Sequence, residues 1–258
     1  MRLIILFFLL NSCLSVSQNL SDSLRIATEN AIFDLDSIIS KEPTAFNYES
    51  RAYAKYILKN YEASLEDYNI ALDLNQNNND DTYYRRGIVK EKLKLFKEAI
   101  EDFNICIKQN NKYLDAYLSR AYCNSMINNL KESLKDYNHY IERIEDNVIA
   151  YYNRGLVKSK LQLNDEAILD FDKVIILDAN HIDAIMSRAI IKAKLGKKDA
   201  LTDFNTAIKL KPKNADPYLN RAIFYINYNK LGDYCSDLKK AISLGSEDAK
   251  SIFADNCK

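Results

Sequence analysis

The stretch AYYNRGLVKSK, Ala150–Lys160, decides how this chain is read. Its spacing predicts a helix in which Tyr151 and Gly155 lie one turn apart on the same side. Glycine inside a helix costs about 1 kcal/mol relative to alanine, so something at Gly155 must offset that loss. The same arrangement recurs as Arg51-Ala52, Arg86-Gly87, Arg120-Ala121, Arg154-Gly155, Arg188-Ala189 and Arg221-Ala222. The small residues are 35, 34, 34, 34 and 33 positions apart, which is an internal repeat. Alanine fills four of the six positions, so smallness rather than backbone freedom is what the site requires.

One turn before each small residue stand Tyr48, Tyr83, Tyr117, Tyr151, Ile185 and Tyr218, a stripe predicted to pack between helices. A second periodic set follows: Ser64/Tyr68/Ala71, Ala99/Phe103/Cys106, Ser133/Tyr137/Tyr140, Ala167/Phe171/Val174, Ala200/Phe204/Ala207 and Tyr234/Leu238/Ala241. Each triplet follows i, i+4, i+7 spacing and predicts another amphipathic helix. Two helices and two short turns fill the period, and small residues on facing stripes let the helices approach closely. Five glycines and three prolines leave little turn chemistry for a sheet, so the expected fold class is all-α.

Composition agrees with a packed chain. Of 258 residues, 47% are hydrophobic, enough for a substantial core. The 36 basic and 36 acidic residues cancel, so no net field favours nucleic acid or an anionic surface, and a protein-facing surface is expected. The first residues, MRLIILFFLL, form an apolar run too short to span a bilayer, followed by small residues. They read as a secretory leader over residues 1–17, cut after Ser15-Val16-Ser17 to leave Gln18 first. Leu10-Asn11-Ser12-Cys13 offers the competing end, a lipid anchor at Cys13. No other segment approaches transmembrane length, and the expected location is the bacterial periplasm or cell envelope.

The recurrence of Tyr151, Gly155, Ala167 and Phe171 with their equivalents, and Pro212 at a repeat junction, resembles the tetratricopeptide repeat. The resemblance covers residues 45–245 as six repeats: 45–79, 80–113, 114–147, 148–181, 182–214 and 215–245. It implies antiparallel helix pairs stacked as a right-handed superhelical solenoid, with first helices lining a concave groove that binds proteins or peptides. The chain departs from the family in lacking tryptophan, in a one-residue deletion near Lys197-Lys198, and in Tyr234 where a small residue is usual. Residues 18–44 read as a half-repeat through Ala31, Leu35 and Ile38, and residues 246–258 as a capping helix presenting Ala249, Ile252, Phe253 and Cys257.

The arginines have partners in the sequence. Asp67, Asp102, Asp136, Asp170, Asp203 and Asp237 follow the small residues by fifteen positions, or fourteen in the fifth repeat, implying a ladder of Arg–Asp pairs with Arg51, Arg86, Arg120, Arg154, Arg188 and Arg221. An anion-binding row of arginines would leave those aspartates without a role. Cys235 and Cys257 sit where a disulfide would pin the last helix of an exported chain. Cys106 and Cys123 on successive helices are either a second bridge or buried thiols. His139 and His181 have no nucleophile motif nearby, and there is no phosphate loop or metal-spaced cluster. No enzyme activity, cofactor or metal is expected.

The functional signal lies beside the small-residue stripe. Tyr53, Tyr84, Ile88, Leu118, Tyr122, Tyr152, Leu156, Met186 and Ile190 fall where the resemblance places the concave surface. Packing between neighbouring first helices explains the same pattern, so both readings stand at this point, with the tyrosines the better binding candidates. The carboxylate clamp of co-chaperones in this family is not matched: its sites hold Glu49, Tyr53, Arg85 and Asp115. The expected function is a non-enzymatic scaffold for a protein or peptide. The alternatives are an enzyme subunit or small-ligand binder using the groove, and a purely structural envelope component.

Overall fold

The computed structural model describes residues 22–75, 79–228 and 232–257. The leader, its Ser15-Val16-Ser17 site and Cys13 lie outside the described residues. Fourteen helices and no strand occur among the described residues, in two compact units, residues 1–129 and 130–258. The first unit holds α1 (Asp22–Ile39), α2 (Ala45–Ile57), α3 (Tyr61–Leu74), α4 (Asp80–Lys92), α5 (Phe96–Gln109) and α6 (Leu114–Met126). The second holds α7 (Leu130–Ile141), α8 (Val148–Lys160), α9 (Asn164–Leu177), α10 (Ile182–Lys194), α11 (Ala200–Leu210), α12 (Asp216–Asn227), α13 (Tyr234–Ser243) and α14 (Glu247–Asn256). The unit boundary separates the two helices of the third predicted repeat, α6 and α7.

Five of the six pairs turn through one residue in the left-handed backbone region: Lys59, Lys94, Asn128, Gln162 and Gly196 have φ between 60° and 70°. Non-glycine residues rarely adopt this conformation, and four of the five are not glycine. The fifth turn is followed by the deletion at Lys197-Lys198, and α11 is correspondingly short, 11 residues against the 14 of α9. Two of the first helices in the second unit carry side-chain caps. Asn147 accepts from the Ala150 backbone N–H at 2.9 Å, and His181 Nδ1 accepts from Ala184 N–H at 3.2 Å.

Inside a pair, the aromatic of the second helix lies against the small residue of the first. A Cβ added at Gly155 would stand 2.9 Å from Cε1 of Phe171, and one at Gly87 would stand 2.6 Å from Cε1 of Phe103. Both rings are wholly buried. The cost of glycine in these helices is therefore offset by ring packing that a methyl group would obstruct. The second-helix triplets form the core: all are buried except Tyr234, which is half-buried and donates from its hydroxyl to the Asn256 carbonyl at 3.4 Å under α14. The larger side chain that stands where a small residue is usual thus serves the capping helix. A disulfide joins Cys235 to Cys257, while Cys106 and Cys123 are free thiols, both buried.

The stripe at Tyr48, Tyr83, Tyr117, Tyr151 and Tyr218 packs in part as expected: Tyr83, Tyr151 and Tyr218 lie against buried core clusters. These rings are half-buried and lie against the guanidinium of the arginine three residues later, at 5.3 to 5.9 Å from ring centroid to Cζ. A tyrosine has an apolar face for the cation and a polar hydroxyl tip, so at the edge of the core it also roofs the charge.

Candidate functional site

Two constellations use the polar side chains that the repeat sets in register. In the first, five of the repeat arginines make paired hydrogen bonds from Nε and Nη2 to the two oxygens of a buried aspartate. Arg51–Asp67 and Arg86–Asp102 in the first unit, and Arg154–Asp170, Arg188–Asp203 and Arg221–Asp237 in the second, bond at 2.5 to 2.9 Å. The free edge of each guanidinium reaches backwards. Nη1 donates to Asp36, Asn69, Asn104, Asn138, Asp172 and Asn205 from Arg51, Arg86, Arg120, Arg154, Arg188 and Arg221 at 2.5 to 3.0 Å. One side chain therefore ties together its own pair and the helix before it. Arg120 belongs to the first unit and the buried Asp136 to the second.

A lysine four residues after the arginine completes the clasp. Lys55, Lys90, Lys158 and Lys192 approach the same aspartates at 2.7, 2.8, 3.0 and 3.2 Å. Asn124 and Tyr225 stand at this position in the other two repeats. Bonding to Asp67 is the foremost reason that the Arg51 guanidinium is held above its ordinary value. With both carboxylate oxygens occupied and tyrosine over the arginine face, these groups are committed to holding helices together.

The second constellation is open. In the first unit a cavity of about 430 Å³ lies among α2, α4 and α6, walled by Tyr53, Tyr56, Tyr84 and Tyr113, with Arg85, Ile88, Glu91, Lys92 and Asp115 around them. Arg85 lies over the Tyr53 ring at 4.9 Å and donates from Nε to Asp81 at 2.5 Å. Burial opposes the Arg85 charge, but Asp81 outweighs it and the guanidinium stays above its usual value. The Tyr113 hydroxyl donates to Asp81 at 2.7 Å, and Lys92 pairs with Glu91 at 3.0 Å. Burial pushes the phenols of Tyr68, Tyr84 and Tyr113 upward. The cavity offers aromatic faces, neutral hydroxyl tips and oriented charges, a combination suited to holding side chains of a polypeptide.

The predicted groove set is divided by this geometry. Tyr53, Tyr84 and Ile88 line the cavity. Tyr84 also packs against Phe103 and Tyr113, with centroids 6.0 and 4.8 Å away, so it belongs to the core of its unit as well. Tyr122 is not in the cavity: its ring meets the edge of Phe96 at 6.4 Å. Leu118 is half-buried on α6. In the second unit Tyr152 stacks on His181 at 5.0 Å, and Tyr152 and Leu156 cover the core around Phe171. Met186 and Ile190 cover the core around Phe204. Ile190 also lines a cavity of about 320 Å³ with Lys194, Asn220, Ile223 and Tyr228. Tyr56, Tyr113 and Arg85 escaped the groove pattern because they sit four residues after, eight residues before and two residues before a small position, whereas the selected sites lie three before and one after.

The family model described as tetratricopeptide repeat matches residues 80–113 and 148–181. The chain carries tetratricopeptide repeats. The C-terminal part of a TPR repeat-containing protein from Cytophaga hutchinsonii has a similar structure, with a TM-score of 0.72 at 18% identity over 89% of this chain and 96% of that one. YrrB, described as a TPR protein with an unusual peptide-binding site, matches with a TM-score of 0.63 at 21% identity over 76% of this chain and 98% of its own. A tetratricopeptide repeat protein from Parabacteroides merdae gives 0.62 at 19% identity over 88% and 91%. At these identities the likeness establishes the tetratricopeptide fold. No curated protein matches the sequence.

Proposed function

We propose that this tetratricopeptide protein is an exported, non-enzymatic scaffold of the periplasm or cell envelope that holds a protein or peptide partner in the tyrosine-walled cavity of its first unit. The observation that carries the reading is the cavity itself, about 430 Å³, with Tyr53, Tyr56, Tyr84 and Tyr113 on its walls and Arg85 set against Tyr53. Tyrosine gives large contact area at low entropic cost and is enriched where partners bind tightly. The unusual peptide-binding site of YrrB, a protein of similar fold, supports a polypeptide ligand. The charges of the cavity are engaged in pairs, Arg85 with Asp81 and Lys92 with Glu91, which suits orientation of a ligand better than proton transfer. The apolar leader at Leu3–Leu10 and the Cys235–Cys257 bond support an oxidising compartment.

Selection of a random peptide library on the protein tests the reading. Selected peptides should lose at least tenfold in affinity on Tyr53→Ala, about 1.4 kcal/mol. Peptides that bind both proteins equally would remove the cavity from the proposal, and a native protein retaining Met1 by mass spectrometry would remove export.

A further inference from the structure

The cavity among α2, α4 and α6 is aromatic without being apolar. Of its lining residues only Ile88 ends in hydrocarbon alone. The others present electron-rich ring faces, hydroxyls or charges. A leucine or phenylalanine entering it would strip water from those polar tips and supply no hydrogen bond in return.

The charges of the cavity are unequally engaged. Arg85 is held from two sides, by Asp81 at 2.5 Å and by the Tyr53 ring at 4.9 Å, and Asp81 also accepts from the Tyr113 hydroxyl at 2.7 Å. Lys92 bonds to Oε1 of Glu91 at 3.0 Å. The Glu91 side chain is only 12% exposed, yet its Oε2 accepts no hydrogen bond from the described residues. Asp115, in the first turn of α6, lines the cavity with neither a hydrogen bond nor an ion pair among the described residues. Asp81, Glu91 and Asp115 thus stand against Arg85 and Lys92, which leaves a negative excess. The wall feels it: after burial, Asp115 is the largest influence raising the Tyr84 phenol, and Glu91 acts in the same direction.

The chain itself shows what sits well in such a setting. Arg51, Arg86, Arg154 and Arg221 each lie over a tyrosine ring at 5.3 to 5.9 Å while bonding a carboxylate at 2.6 to 2.9 Å. A guanidinium is planar and weakly hydrated, and it can stack on a ring while its N–H groups bond a carboxylate. An anion would instead meet negative ring faces and two carboxylates with open acceptors, because both cations of the cavity already have partners. Resting on the reading of the cavity as a peptide site, we infer that it is specific for an arginine side chain of the partner. The guanidinium enters among Tyr53, Tyr56, Tyr84 and Tyr113, with Glu91 and Asp115 as its counter-charges.

The probes are synthetic peptide pools with randomised flanks and one central residue fixed as arginine, lysine, leucine or glutamate, titrated over the immobilised full chain by surface plasmon resonance. The arginine pool should bind at least about tenfold tighter than the leucine and glutamate pools, and more tightly than the lysine pool. That advantage should shrink with added salt, in Glu91→Gln and in Asp115→Asn. Asp115 is exposed, so Asp115→Asn keeps the melting temperature of the parent. A leucine or glutamate pool that binds best, and loses its binding on Tyr53→Ala, overturns the inference while the peptide site stands. A lysine pool equal to the arginine pool overturns the choice of a guanidinium. An arginine advantage unchanged in both Asp115→Asn and Glu91→Gln overturns its placement here. If no pool binds, the peptide reading falls and this inference with it.

Discussion

Arg154 holds Asp170 by two parallel hydrogen bonds of 2.9 and 2.6 Å, while its remaining edge reaches Asn138 at 2.9 Å on the helix before. The carboxylate is 3% exposed and Lys158 bonds to it as well. Replacing Arg154 by leucine leaves a buried charge held by lysine alone and should cost about 3 to 5 kcal/mol, read by urea denaturation. Lys158→Met leaves the paired bonds intact and should cost about 1 kcal/mol. Equal losses in the two variants would mean that the paired geometry is not what matters.

The two helical glycines should respond differently to alanine. A methyl at position 87 would stand 2.6 Å from Phe103, and one at position 155 would stand 2.9 Å from Phe171. Helix propensity favours alanine by about 1 kcal/mol, while overpacking opposes it by about 1 to 3 kcal/mol. Gly87→Ala should therefore destabilise by about 1 to 2 kcal/mol, and Gly155→Ala should come close to neutral. Stabilisation by both would show that the rings yield freely.

The Arg–Asp ladder and the two-helix period were legible because they recur in the primary sequence at constant spacing. The rest was hidden for physical reasons. Lys55 and its equivalents look like surface lysines, since a helix position four after an arginine is often solvated. Lys59, Lys94 and Gln162 carry no turn signal, because tertiary packing imposes a backbone conformation that their side chains disfavour. The packing of Tyr83 on its core cluster follows from helical spacing, but the guanidinium against Tyr48 and Tyr83 does not, because spacing does not reveal whether a ring also covers a charge. The cavity was legible only in part: Tyr53 and Ile88 lie beside the small-residue stripe, whereas Tyr113 comes from the loop just before α6.

Cys235 and Cys257 are 22 positions apart. Closing that loop should stabilise the fold by about 3 kcal/mol in the chain-entropy model. Reduction, or Cys235→Ser, should lower the melting temperature and speed amide exchange in α13 and α14 first. Exchange that rises evenly through the whole chain would contradict a local role for the bond.

Cys106 and Cys123 should resist alkylation at pH 8 in the folded chain and react once it is unfolded, with the modified sites identified by mass spectrometry. Burial pushes both thiols up to about 12, so the thiolate that reacts is scarce. Their folded values exceed the unfolded value of about 8.5. The stability they contribute is whole below about pH 8.5 and is lost as pH rises towards 12. Alanine at both positions should flatten that alkaline decline, and an unchanged decline would place its cause in the buried phenols.

Tyr53 and Tyr84 line the same cavity, yet they should not behave alike. Tyr84 packs on Phe103 and Tyr113 and belongs to a buried cluster, so Tyr84→Ala removes core contacts and should cost about 3 kcal/mol. Tyr84→Phe keeps the ring and should retain most of that stability. Tyr53 lies against Arg85 and stacks on Tyr56 at the cavity wall, and Tyr53→Ala removes the cation–π and the ring contact, about 1 to 2 kcal/mol together at a partly exposed site. A selected peptide ligand should nevertheless lose about 2 kcal/mol of binding on Tyr53→Ala if the ring is one of its anchors. Tyr122→Ala is the control: its ring meets Phe96 outside the cavity, so stability should fall and peptide affinity should not. Loss of affinity in Tyr122→Ala equal to that in Tyr53→Ala, at a temperature where both variants are folded, would move the binding surface away from the cavity.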